Sequence, residues 1–172
     1  MPDPTIMPLG FAVALSAAML VVVVLDATRY IIPNTLNGGI ILLFALGCFL
    51  LPLHPLPSLG AAAIMLILGL GLFALGLMGG GDIKLLVALT LWTGWNIASL
   101  QFIFATAIFG GVLVLMVLPA RKLLPSLWTN KGKTPPRLLR RGEPVPYGIA
   151  IAAAFLWIVW RGMVPGLNHL LG

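Results

Sequence analysis

The chain has 172 residues, of which 60% are hydrophobic and only 8% charged. Ordinary soluble domains carry roughly 25% charged residues, so a water-soluble globular core is excluded and a multi-pass membrane protein in one domain, residues 1–172, is expected. The net charge of +6 does not point to nucleic acid, because most of the basic residues lie in one loop between apolar segments, where membrane topology accounts for them.

The first apolar segment covers residues 7–25. The stretch before it carries Asp3 and no basic residue, unlike the positive start of a secretory signal peptide, so this segment is expected to be a retained span. The polar joint "DATRYIIPNTLNGG" follows, and its Pro33, Asn and Gly residues disfavour a continuous helix. A second span is expected from Gly39 to about Leu51, closed by "PLHPLPS", and a third over residues 59–78, stopping at the glycines. Lone Cys48 lies in the second apolar run; it reads as a small buried hydrophobe and excludes a disulfide framework or a multi-cysteine zinc site within one chain.

Between Ile83 and Leu118 the only charge is Lys84. One helix of that length would extend about 54 Å, well beyond a hydrocarbon core of about 30 Å. The polar break "TGWN", Thr93 to Asn96, is the natural place to fold back, giving a short fourth span and a fifth ending near Leu118. A sixth covers residues 147–160. The expected architecture is therefore all-α, a membrane bundle of about six transmembrane helices with the N-terminus outside. In that orientation Arg29, Lys84 and seven loop residues (Arg121, Lys122, Lys131, Lys133, Arg137, Arg140 and Arg141) face the cytoplasm, and only Arg161 faces out, in agreement with the positive-inside rule. The loop 119–146 reads as a topological anchor against anionic lipid headgroups.

This topology sets two of the four acids at one depth: Asp26 at the end of the first span and Asp82 at the start of the fourth. Asp3 and Glu143 read as solvated. Ionisable groups at membrane depth mark functional sites by default; the plainer alternative is that both acids simply mark helix ends. Gly79, Gly80 and Gly81 before Asp82 allow a sharp bend and the close approach of another chain, as cleavage of an extended peptide requires, or else a turn or close helix packing. Paired carboxylates can activate a water for attack on an amide, one taking its proton while the other, protonated, hydrogen-bonds the carbonyl. Lys84, two residues from Asp82, is turned away by the helix and is expected to snorkel to the headgroups. His54 and His169 fall on the outer side, away from the acids. A proton-coupled transporter using two membrane carboxylates, or a non-enzymatic secretion subunit, are the competing readings; no repeat between halves favours the former.

"LDATRYIIPNTLN", then "MGGGDIKLLVALTLWTG", then "PVPYGIAIAAA" resemble, in order, the motifs of the type IV prepilin peptidases, the GxGD class of membrane aspartic proteases. The small size resembles the short members that serve Flp (Tad) pili. The resemblance implies an inner-membrane endopeptidase that removes the basic leader of prepilins at the cytoplasmic face, after a glycine that precedes the pilin's hydrophobic helix. It implies Asp26 and Asp82 as the catalytic pair, with Gly79 and Gly81 matching the GxGD glycines and no cofactor required. Bifunctional members also N-methylate the new terminus and carry a four-cysteine zinc insert. With one cysteine and a short first joint, neither methyltransferase activity, zinc nor a methyl donor is expected here.

Overall fold

The computed structural model describes residues 6–123, 137–140 and 142–167. Asp3, His169 and the loop residues Lys131, Lys133 and Arg141 lie outside the described residues. Six α-helices follow one another: α1 Ile6–Arg29, α2 Asn34–Leu50, α3 Pro55–Ala74, α4 Gly80–Thr93, α5 Ile97–Leu123 and α6 Tyr147–Trp160, with one 3-10 turn at Arg137–Leu139. Among the described residues no strand occurs, and the chain is a helical membrane bundle.

Five of the six helices described fall into two kinds. α1, α3 and α5 have the length and apolar composition to cross a membrane, and they leave large residues such as Leu20, Ile67, Phe104 and Leu115 exposed, as helices solvated by lipid do. α4 is only 14 residues long and nine of them are buried. α6 has the same length and buries eight. A 14-residue helix reaches about 21 Å, less than the hydrocarbon core; both short helices are buried over most of their length against the other helices. α4 packs on α3 and α2, and α6 on α5 and α1.

Short connections force successive helices to run antiparallel. α1 ends where Tyr30 takes a left-handed backbone, φ 57, with its amide still bonded to the Asp26 carbonyl at 3.1 Å. Pro33 caps α2 in an extended conformation. The joint after α1 is therefore shorter than its composition predicts: Asn34 to Gly39 are already helical. α1 also runs past Asp26 to Arg29. The "TGWN" break falls where expected: Gly94 has φ 67, and the Asn96 side chain accepts the Ala98 amide at 2.6 Å while donating to the Thr93 carbonyl at 2.7 Å. α5 extends beyond the expected Leu118, through Pro119, and α6 has the expected bounds. The end of α1, the starts of α2 and α4 and the start of α6 consequently share one end of the bundle.

Trp92, fully buried, ties the core of α4 to its neighbours. Its ring meets Phe11 at 5.7 Å and Phe44 at 5.8 Å between centroids, and its indole N–H donates to the Ile40 carbonyl at 3.3 Å. Trp92→Ala is expected to cost about 3 kcal/mol or more through the cavity it leaves, read as a lower unfolding midpoint in detergent; an unchanged midpoint would show that α4 is not held by this contact.

Candidate active site

Three helix ends make the site. α1 brings Asp26 one turn before its end, α4 carries Asp82 in its first turn, and α6 begins with Tyr147 beside them. Both carboxylates line a single cavity of about 440 Å³, together with Tyr30, Gly76, Leu77, Met78, Gly79, Val114 of α5 and the segment 144–147. A cavity of about 350 Å³ between α3, α4 and α5, lined by Trp95 and Leu100, is at the opposite end. It is almost wholly apolar and holds no ionisable group.

Asp26 is 5% exposed, and its Oδ2 is buried without a hydrogen-bond partner. The backbone amides of Gly148 and Ile149, in the first turn of α6, face this carboxylate; such amides have no partner within their own helix and favour an anion. Gly148 makes the approach possible. A Cβ there would lie 2.7 Å from Asp26 Oδ2, and 3.0 Å from both Asp26 Cγ and Ile32 Cδ1.

Asp82 is half-buried and folds back over the start of its own helix. A Cβ on Gly79 would sit 3.0 Å from Asp82 Oδ2, and the Gly79 amide is within reach of the carboxylate, the arrangement by which a third-position acid caps a helix. Asp26 and Asp82 face the same cavity, so two residues 56 positions apart in the sequence share one site.

The glycines divide their roles differently from the sequence expectation. Gly79 lines the cavity, but Gly80 and Gly81 are helical and do not. A Cβ on Gly81 would meet Ile32 Cβ at 3.5 Å, and one on Gly80 would meet the Phe73 ring at 3.6 Å. A left-handed bend lies three residues before the run, at Gly76 with φ 69; Gly80 and Gly81 serve close packing. Buried Ile32 thus wedges between the starts of α4 and α6. Lys84 is outside the cavity lining and exposed, and its ammonium donates to Asn34 Oδ1 at 3.0 Å, tying α4 to α2. His54 precedes α3 at the far end. Among the described residues no group of three or more His, Cys, Asp or Glu side chains comes together to hold a metal ion.

Four contributors escaped the sequence reading. Tyr30 and the segment 144–147 line the cavity, Gly148 admits Asp26, and Arg121, expected as one of the cytoplasm-facing loop cations, is 6% exposed. "PVPYG" was a signal for two of these: a proline-rich entry followed at once by a glycine in a helix whose first turn has to approach something closely. Nothing local marks Tyr30, or separates Arg121 from the basic residues after it.

No curated protein and no solved structure matches the chain. A family model, that of the type IV leader peptidases, matches residues 13–115, which is more than half of the chain and includes both carboxylates and the turn that leads into α4. The fit is to peptidases rather than to transporters or structural subunits, and the chain belongs to the type IV leader peptidase family.

Proposed function

We propose that the protein is an aspartic endopeptidase that removes leader peptides from type IV prepilins of the Flp kind, with Asp26 and Asp82 as its catalytic pair. The observation that carries this reading is the meeting of the two carboxylates in one cavity at a helix-end junction. One carboxylate, ionised, takes a proton from a water lying between them. The resulting hydroxide attacks the scissile carbonyl, whose oxygen accepts a hydrogen bond from the other, protonated carboxyl. The tetrahedral intermediate collapses by breaking the C–N bond, and the proton first taken from water passes to the leaving amine. Water supplies every atom added; Lys84 has no part in these steps.

Orientation follows from charge. Arg29, Lys84, Arg121, Lys122 and Arg140 accompany the site end of the chain, while Arg161 lies at the other end, stacked 5.1 Å over Trp157. The positive-inside rule turns the cavity toward the cytoplasm, where a prepilin leader of basic residues resides before export. The pilin's hydrophobic helix would remain in the bilayer alongside the exposed apolar helices, with the extended segment before it laid into the cavity. No methyl transfer is assigned to the chain.

Two sets of variants test the reading. Asp26→Asn and Asp82→Asn, each inserted normally in the membrane, are each expected to reduce cleavage of a co-reconstituted prepilin by about a thousandfold or more, since paired catalytic groups fail as a unit. Appreciable cleavage by either would remove the dyad. Gly148→Ala drives a methyl group into Asp26 and is expected to lower kcat/KM about tenfold, roughly 1.4 kcal/mol, in the same assay. Full activity in that variant would mean that Asp26 does not work from the position against α6.

A further inference from the structure

One part of the cavity wall is the segment Pro144 to Tyr147, and it is built from residues that are hard to hold in place. Pro144 and Pro146 have no amide N–H, so this stretch can be anchored mainly through its carbonyl oxygens. Arg121 provides that anchor. Its Nε donates to the Leu138 carbonyl at 2.9 Å, Nη1 to the Glu143 carbonyl at 2.6 Å and Nη2 to the Pro144 carbonyl at 2.8 Å. All three guanidinium nitrogens are thus committed to the main chain of the segment that leads into α6. Val114, which lines the cavity, is seven residues before Arg121 on the same helix, about two turns away and on the same face. α5 therefore supplies one part of the wall directly and clamps another.

We infer that Arg121 is a positioning residue for the site: its guanidinium fork fixes Leu138, Glu143 and Pro144, and through them the 144–147 wall against which a substrate peptide lies. This rests on the peptidase reading above. A planar fork with diverging donors can serve three carbonyls together, whereas an ammonium is a single point that cannot span them. Arg121 touches neither carboxylate, so its loss acts on substrate placement and leaves the chemical step alone.

The test uses the full chain in proteoliposomes with a purified prepilin. Arg121→Lys is expected to raise KM about fivefold or more while kcat changes less than about twofold, with Arg121→Ala showing the larger KM effect. A second measurement needs no activity: Val145→Cys in a Cys48→Ser background, reacted with a thiol reagent, is expected to change its labelling rate severalfold when Arg121→Lys is added. Unchanged KM and labelling would overturn the inference. So would a fall in kcat and thermal stability at constant KM, the mark of a merely structural role. Failure of the unaltered protein to cleave any prepilin would remove the peptidase reading and with it Arg121's part in substrate binding; labelling that still responds to Arg121→Lys would then separate that failure from a failure of the clamp.

Discussion

A carboxylate inside an apolar bundle has to be met by polar groups, because water and lipid cannot both be kept from it and leave it uncompensated. Asp26 is the point where this constraint is sharpest. It is buried on a helix otherwise faced with Val, Leu and Ala, and what reaches it is the amide-bearing start of α6. That approach requires Gly148, and the same closeness brings Ile32 against both Gly148 and Gly81. The end of α1, the start of α4 and the start of α6 are thereby fixed to one another around a single isoleucine. Much of the site's shape follows from that junction.

The junction also explains why the two innermost helices are short. If α4 began at the membrane surface, Asp82 would stand in water and the cavity would be an open dish. Because α4 packs against α2 and α3, and α6 against α1 and α5, neither needs to span the hydrocarbon region by itself. The unpaired amides of their first turns remain available to carboxylates instead of being solvated. The long helices bear the cost of facing lipid, and the first turns of the short ones bring free amides to the carboxylates.

Much of this was legible in the sequence. Helix number, the fold-back at "TGWN" and the bounds of α6 follow from charge spacing and turn residues, which act locally. The common depth of Asp26 and Asp82 follows from counting antiparallel spans. The start of α2 did not follow: Asn34 to Gly39 look like a loop by composition, yet Pro33 is a good extended cap, and the helix begins directly after it. The glycine run was open by sequence to a bend or to close packing; the left-handed φ of 69 belongs to Gly76, while Gly80 and Gly81 are helical. Nor could periodicity have identified the buried faces, because α4 and α6 are apolar almost all round and show no polar stripe. Gly148 and Arg121 act through partners that are distant along the chain, and a glycine at a helix start or an arginine beside other basic residues has the same appearance whether or not such a partner exists.

A site assembled from helix ends responds to different displacements than one assembled from helix faces. Rotating a helix about its axis moves a face-borne side chain by several ångströms but leaves terminal amides pointing along nearly the same direction. Sliding a helix along its axis does the reverse: a shift of one residue, about 1.5 Å, would separate the α6 amides from Asp26 or carry Asp82 away from the cavity. Contacts between apolar faces resist rotation well and resist sliding poorly. Polar ties at the site end supply what those faces lack. Lys84 bonded to Asn34 ties α4 to α2, and Arg121 holds the Glu143 and Pro144 carbonyls of the cavity wall to α5. Cations that the sequence presents as markers of membrane topology thus have a second physical use, setting the depth at which helix ends meet.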